Sequence, residues 1–111
     1  MRLTVREYLT PDGRSPYRTW LDGLDRSARA RVQARVLRFE SGNFGDHKSL
    51  GAGLWEARLF FGPGYRVYFG RHGPAVVLLI AGGDKGSQAR DILRARRSLA
   101  DFLEATKHGK A

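Results

Sequence analysis

Apolar and polar positions near the start of the chain follow first the period of a strand and then that of a helix. Residues 2–9 alternate and are rich in residue types that favour strands. A turn is predicted over residues 11–13, Pro-Asp-Gly. Ser15 followed by Pro16 is typical of a helix N-terminus, with the serine as N-cap. Apolar residues then recur at helical spacing as far as Leu24, which predicts a short amphipathic helix.

A second helix is predicted directly after the first. Asp25 can cap it, and Gly42 suits the left-handed position at which many helices end, so we expect it to extend to about Glu40. The tight connection predicts an antiparallel helical hairpin. The apolar seam of the second helix consists of Leu24, Ala28, Val32, Val36 and Phe39. Its other side is crowded with arginines, namely Arg26, Arg29, Arg31, Arg35 and Arg38.

The second half of the chain begins with a predicted loop and continues with strands. Residues 44–53 are rich in glycine, and we expect a loop there. Three strands follow, joined by turns that contain glycine and proline, and they are predicted over residues 54–61, 65–71 and 75–81. The last of them is apolar on both faces, which predicts a central strand covered on both sides.

These elements predict a single domain of the α+β class. The order is an N-terminal strand, a helical hairpin, an antiparallel three-strand meander and a C-terminal helix, which favours helices packed on one sheet face. Asp84 or Ser87 is placed to cap the last helix, whose apolar positions are Ile92, Ala95, Leu99, Phe102 and Leu103. We expect the domain to cover residues 1–105 and a short polar tail, residues 106–111, to fray.

The charge of the chain indicates an anionic partner. Its 111 residues include 20 Lys and Arg against 11 Asp and Glu, a formal net charge of +9. A nucleic acid or an acidic protein would complement such a surface, and a purely solubilising role for the charge is the alternative. Cysteine is absent, which excludes disulfides, thiolate nucleophiles and cysteine-based metal sites.

The sequence favours a cytoplasmic protein that needs no cofactor. The N-terminal residues lack the apolar stretch of a signal peptide. The longest apolar run, residues 75–81, is far shorter than the ~20 residues that cross a bilayer. No metal is implied, because the three histidines lie far apart in the sequence and no paired ligand spacing is present. The glycine-rich segment 82–87 lacks the spacing of a phosphate-binding loop.

Strand alternation brings four polar residues to one face of the predicted β-hairpin. Glu56 shares a face with Arg58, and Arg66 shares a face with Tyr68. A symmetric turn over residues 62–64 would pair Arg58 with Tyr68 and leave the apolar side chains on the opposite, core face. The sequence therefore predicts a compact polar patch on a rigid sheet, directed away from the core.

Such a patch suits the cleavage of RNA through its own 2′-hydroxyl. The reaction needs a proton acceptor, cations beside the phosphorane and a proton donor for the leaving 5′-oxygen. Arg58 and Arg66 would bind the phosphate, and Tyr68 would stack on a base or assist proton transfer. Glu56 is one candidate base. The alternative is that Glu56 and Arg58 form an ordinary ion pair on a solvated sheet face.

Further residues extend this candidate site. Lys48 or Lys85 could act as the base if neighbouring cations lower its pKa. His47 suits proton transfer and could approach the site from its loop, although the sequence favours a surface position in that loop. Gln88, in the first turn of the last helix, could reach a phosphate or be solvated. The arginine side of the second helix could contact RNA phosphates or an acidic protein partner, or it could remain a solvated, self-repelling face. Its candidates are Arg31, Arg35 and Arg38.

Five segments of the sequence, taken in order, carry a family resemblance. They are residues 17–21 (YRTWL), 42–51 (GNFGDHKSLG), 55–58 (WEAR), 62–69 (GPGYRVYF) and 78–88 (LLIAGGDKGSQ). The ordered set resembles the HigB-like "addiction module killer protein" branch of the RelE/ParE toxin superfamily. The resemblance runs from about Tyr8 to Phe102, nearly the whole chain.

The resemblance implies a fold, partners and an activity. The fold is RelE-like, with a helical hairpin against a mostly antiparallel sheet. The partners are a small antitoxin encoded beside the toxin, often a helix-turn-helix DNA-binding protein, together with the ribosome and mRNA. For the RelE and HigB branches it implies mRNA cleavage on the ribosome. The matched positions that it implies as cations around the scissile phosphate are Lys48, Arg58, Arg66 and Lys85.

The pattern departs from the family at one point that concerns the activity. Many RelE-type nucleases carry a His or Arg and a Tyr after the last strand, whereas no tyrosine follows Tyr68 here. The resemblance also includes the ParE branch, whose members poison DNA gyrase without cutting RNA. We therefore predict the toxin of a type II toxin–antitoxin system that acts as a metal-independent mRNA endonuclease. A gyrase inhibitor and a non-catalytic basic nucleic-acid-binding module are the alternatives.

Overall fold

The computed structural model describes residues 2–107, which form one five-stranded sheet and three α-helices. The strands are β1 (Thr4–Glu7), β2 (His47–Gly51), β3 (Leu54–Leu59), β4 (Tyr65–His72) and β5 (Val76–Asp84). The helices are α1 (Pro16–Asp22), α2 (Arg26–Leu37) and α3 (Gln88–Lys107). Short 3-10 turns follow α2 and precede α3, at Arg38–Ser41 and Lys85–Ser87. The protein is therefore of the α+β class.

The sheet is mixed, with the strand order β1-β5-β4-β3-β2. The predicted meander of β3, β4 and β5 is antiparallel and is confirmed. Two features were not predicted: β1 pairs with β5 in parallel, and β2 adds an antiparallel strand beside β3. The prediction of a loop over residues 44–53 was thus wrong for residues 47–51, because backbone pairing with β3 gives this polar segment an extended conformation.

The helix signals in the first half of the chain are confirmed. The Ser15 side chain accepts a hydrogen bond from the Arg18 backbone, and Asp25 accepts one from the Ala28 backbone at 2.8 Å. Gly42 has a φ of 81°, the left-handed conformation that the end of this segment requires. α2 itself ends at Leu37, and the 3-10 turn completes the segment as far as Ser41.

The helices lie on both faces of the sheet, so the prediction that they share one face was wrong. α1 and α2 cover the face that carries Ala57, Val67 and Phe69. α3 covers the other face through Ala95 and Leu99. The apolar residues of β5 alternate between these two clusters, which confirms that β5 is a central strand covered on both sides.

β5 and α3 both extend beyond their predicted ends. β5 continues through Gly82 and Gly83, and the absence of a side chain at each glycine leaves room for a neighbouring side chain. A Cβ added at Gly82 would lie 2.0 Å from the Trp20 ring, and one at Gly83 would lie 1.9 Å from the Asp91 carboxylate. α3 includes the first two residues of the expected tail and ends at Lys107, while residues 108–111 lie outside the described part of the chain. None of the helices within residues 2–107 is long and apolar enough to cross a membrane.

Candidate nucleic-acid interface

The register between β3 and β4 determines which polar residues meet. Arg58 lies directly opposite Arg66, and Glu56 lies opposite Tyr68. The predicted pairing of Arg58 with Tyr68 was wrong, because the connection comprises residues 60–64 and shifts the register by two. A shift of two preserves the face on which each side chain lies. The prediction that these four polar residues share one face is therefore confirmed.

This face is the one that α3 covers, so the polar residues do not form the open patch that we expected. Glu56 is fully buried, with an exposed fraction of 0%. Its carboxylate accepts a hydrogen bond from Gln88 Nε2 at 2.8 Å and pairs with Arg66 Nη1 at 3.4 Å. Only 11% of the Arg66 side chain is exposed. We call Glu56, Arg66, Tyr68 and Gln88 the inner cluster.

The burial of Glu56 argues against its predicted role as the base. A carboxylate that is enclosed and bound by two donors cannot reach a 2′-hydroxyl, and it instead orients Arg66. The prediction for Gln88 is corrected in the same way. Its amide points inward onto Glu56 and is neither solvated nor directed at an external phosphate.

Tyr68 is also buried, which excludes base stacking on its ring. Burial raises the pKa of its hydroxyl, and the nearby Glu56 and Asp91 carboxylates raise it further. The hydroxyl is close to Glu56, yet it makes no hydrogen bond of good geometry within residues 2–107. The predicted catalytic role of Tyr68 is thus not supported by its position.

Two accessible cations, Lys48 and Arg58, lie on the α3-covered face of the sheet, and a third, Lys85, lies just after β5. Arg58 is 31% exposed and pairs with Asp46 at 3.2 Å. Lys48 lies opposite Glu56 in the sheet register and is exposed. Lys85 is exposed in the 3-10 turn, and its Cβ lies 3.5 Å from the position that a Cβ on Gly64 would occupy. We call Lys48, Arg58 and Lys85 the outer cations.

His47 does not join the outer cations. It lies opposite Ala57, whose side chain is in the core beneath α1 and α2, and adjacent residues of a strand point to opposite faces. The imidazole contacts the rings of Phe44 and Trp55, and its Nδ1 is 2.7 Å from the Gly45 carbonyl oxygen. The predicted approach of His47 to the site was therefore wrong.

The three candidate arginines of the second helical segment have different surroundings. Arg35 donates hydrogen bonds to the carbonyl oxygens of Phe44 and Asp46, at 3.1 and 2.7 Å, and burial lowers its pKa. Arg35 thus holds the segment before β2 against α2 by hydrogen bonds and is not free to bind a phosphate. Arg31 and Arg38 are exposed. The Arg31 guanidinium lies 3.8 Å from the centre of the Phe61 ring, a cation–π contact.

Two features of the surface are not among those that the sequence predicts. One is Phe60, which is 77% exposed in the connection between β3 and β4. The other is a cleft of about 630 Å³ beside β5, lined by residues that include Arg14, Trp20, Gly82, Arg90, Arg94 and Arg97. An aromatic residue beside the Gly-Pro-Gly turn was the available signal for Phe60. The cleft depends on how α1 and α3 are placed, which residue spacing does not show.

The cleft adjoins an unpaired strand edge. The pairing of β1 with β5 ends at Leu79 of β5. There the Tyr8 backbone N–H donates a hydrogen bond to the Leu79 carbonyl oxygen at 2.8 Å. From Ala81 to Gly83 the same edge of β5 has no strand beside it within residues 2–107. Within residues 2–107 there is no group of three or more His, Cys, Asp or Glu side chains that could hold a metal ion.

Comparison with known proteins identifies one relative and leaves its activity open. No family model matches the chain. A protein of Haemophilus influenzae, described only as an uncharacterized protein, is 39% identical over 97 residues. These residues cover 86% of this chain and 92% of that protein. The chain therefore belongs to the same family as this uncharacterized Haemophilus influenzae protein.

Proposed function

We propose that this protein is the toxin of a type II toxin–antitoxin system, of RelE-like fold and HigB-like type, which cleaves mRNA on the ribosome in the cytoplasm. Three observations support the proposal. Five ordered segments resemble that family, two helices pack against a sheet whose central strands are antiparallel, and the net charge is +9.

The pair of opposed arginines is the observation that carries the proposal. Like charges directly opposite each other destabilise a sheet unless something offsets them. Here each arginine has its own carboxylate, Asp46 for Arg58 and Glu56 for Arg66. Guanidinium groups that are oriented before the substrate arrives are suited to stabilise negative charge as it develops on a phosphorane. Arg58, the more exposed of the two, would make the first contact with the phosphate.

In the proposed reaction the protein would promote RNA cleavage mainly by electrostatic stabilisation of the phosphate. Arg58 would bind the phosphate, with Lys48 on the neighbouring strand β2 and Lys85 in the turn after β5 as further cations. The attacking 2′-hydroxyl would lose its proton to water as the cyclic phosphate forms, and the leaving 5′-oxygen would take a proton from Lys48 or Lys85, both of which are exposed. Glu56 and Tyr68 contribute indirectly, because they pack around Arg66.

A second candidate function is binding without catalysis, of which inhibition of DNA gyrase is one form. The burial of Glu56 and Tyr68 favours it, since two of the predicted proton-transfer groups are inaccessible. The outer cations would then serve as contacts for an anionic surface alone.

The proposed antitoxin is a small, DNA-binding protein with an acidic segment. The cleft beside β5 is a suitable surface for that segment because its exposed arginines are cationic. The two carboxylates that line it are already engaged: Asp84 accepts hydrogen bonds from the backbone of Gly86 and Ser87, and Asp91 accepts one from the Ser87 hydroxyl. An extended segment could also pair with the open edge of β5.

Expression of the chain alone in a bacterial host tests the proposal. Growth is followed, and the 5′ ends of mRNA and breaks in DNA are mapped in the same culture. We expect growth arrest, newly cut mRNA within translated regions and intact DNA. Broken DNA with intact mRNA would support gyrase inhibition instead. Normal growth with intact mRNA would contradict a toxin of either kind.

A further inference from the structure

An aromatic side chain at the β3–β4 connection is exposed beside a cationic groove. Phe60 is 77% exposed, which for a single apolar residue is not unusual. Its surroundings are more informative. The groove encloses about 290 Å³ and is lined by Arg31, Ala34, Arg35, Arg38, Leu59, Phe60 and Phe61. No carboxylate is among these lining residues, so the groove is strongly positive.

Some residues of the groove already make contacts within the protein, and others are exposed and available to a ligand. The Phe61 ring is in contact with Arg31, whose guanidinium carbon lies 3.8 Å from the ring centre. Arg35 is engaged with two backbone carbonyl oxygens. Phe60, Arg31 and Arg38 remain exposed, an aromatic face and two cations along one groove. This combination is typical of surfaces that bind single-stranded nucleic acid.

Phe60 also connects the groove to the outer cations. The Arg58 guanidinium carbon lies 5.9 Å from the centre of the Phe60 ring. A strand with one phosphate at Arg58 would therefore present a neighbouring nucleotide to Phe60, and the following phosphates would continue toward Arg38.

We propose that Phe60 is a stacking platform for an unpaired RNA base, and that Arg31 and Arg38 bind the phosphates of the same strand. The choice of RNA as the ligand rests on the proposed function. Stacking is tolerant of sequence because every base has an aromatic face, so the groove would select single strands over duplexes and discriminate weakly between bases.

Binding of a fluorescently labelled, single-stranded RNA oligonucleotide to the purified protein tests this site. Phe60→Ala should weaken binding about tenfold, within the range typical of base–aromatic stacking. Phe60→Tyr should retain binding because it keeps the ring. Leu93→Ala, which shortens a similarly exposed apolar residue on α3, is the matched control and should bind as the wild type does. Circular dichroism verifies that each variant is folded.

Two further measurements separate stacking from charge. An RNA strand of equal length without bases should bind the wild type about as weakly as the complete strand binds Phe60→Ala. The slope of log Kd against log salt should be unchanged in Phe60→Ala, since no charge is removed, whereas Arg38→Gln should lower it by about 1.

Several results would overturn the site. They are unchanged RNA affinity in Phe60→Ala, equal wild-type affinity for the strand without bases, or absence of RNA binding by the wild type. If Phe60→Ala instead lost only the binding of a protein partner, the surface would belong to that partner and the proposal would be overturned. The assay contains no ribosome and needs no cleavage. Intact mRNA in expressing cells would thus refute the nuclease while leaving a Phe60-dependent RNA site supported.

Discussion

Arg58 and Arg66 occupy opposite positions on neighbouring strands, and yet their surroundings differ sharply. Arg66 belongs to the inner cluster beneath α3, where its side chain is 11% exposed and Glu56 is its fully buried partner. Arg58 lies at the outer side, 31% exposed and paired with a partly exposed Asp46. The two residues are of the same type, lie opposite each other in the register of β3 and β4, and are on the same face of the sheet. The position of a covering helix therefore decides which arginine supports the fold and which is available to a ligand.

The energetic consequences of the two ion pairs should differ as much as their burial. Removing one partner of a buried pair leaves an uncompensated charge that water cannot solvate. Removing one partner of an exposed pair leaves a charge that water and salt screen. The contrast is tested by substitutions at the carboxylate of each pair, where loss of the buried carboxylate should have the largest effect, and substitutions at Gly82 and Tyr68 should have smaller ones.

Glu56→Ala should cause the largest loss of stability. It leaves Arg66 without its carboxylate beneath α3, a change that costs about 3–5 kcal/mol in comparable buried pairs. Asp46→Ala is the matched control at the outer pair and should cost no more than about 1 kcal/mol. Urea unfolding of both variants measures the difference. Equal losses of unfolding free energy in the two variants would remove the distinction between the inner cluster and the outer cations.

Gly82→Ala tests whether the strand that supports both regions needs its glycine. The added Cβ would lie 2.0 Å from the rigid Trp20 ring, so the ring or β5 must move. Overpacking of this kind costs about 1–3 kcal/mol. Gly23→Ala, whose Cβ would meet its nearest neighbour at 3.5 Å, should leave the thermal midpoint nearly unchanged. A Gly82→Ala protein as stable as the Gly23→Ala control would show that Trp20 packs differently.

Tyr68→Phe should have the smallest effect at neutral pH. It removes a buried hydroxyl without a well-formed hydrogen bond, so the unfolding free energy should change by less than about 1 kcal/mol. Messenger RNA cleavage should also be retained. A variant that folded normally but lost cleavage would return Tyr68 to the catalytic role that the sequence suggested.

The same variant should alter stability at high pH. The pKa of Tyr68 is raised in the folded protein, so above about pH 10 the unfolded chain loses this proton while the folded chain keeps it. Stability therefore falls as pH rises past the unfolded pKa, and Tyr68→Phe should reduce the fall. Tyr17, whose pKa burial raises to about 12, would account for a further part. An unchanged pH dependence between 9 and 11 would contradict the burial of Tyr68.

Much of the local structure could be predicted from the sequence because it depends on local chemistry. The caps at Ser15 and Asp25 and the left-handed Gly42 are determined by hydrogen bonds and sterics within a few residues. The face of each side chain on β3 and β4 follows from alternation alone. It was correct even though the register was two residues in error, since an even shift preserves the face.

The state of the candidate site could not be predicted, because it depends on contacts between distant segments. The spacing of apolar residues in α3 predicts an amphipathic helix but does not say which sheet face it covers. That choice buries Glu56 and turns Gln88 toward it. The pairing of residues 47–51 with β3 could not be predicted either. The segment is polar and exposed, and it shows little alternation of apolar and polar residues.

The most direct test of the account compares mRNA cleavage by Arg58→Gln and Arg2→Gln after expression in the same host. Both variants remove one exposed arginine that forms a surface ion pair, with Asp46 or with Glu40, and both should fold normally. We expect Arg58→Gln to lose growth arrest and leave mRNA intact, whereas Arg2→Gln should cut mRNA as the wild type does. Full cleavage by a folded Arg58→Gln protein would contradict the claim that the outer cations bind the phosphate.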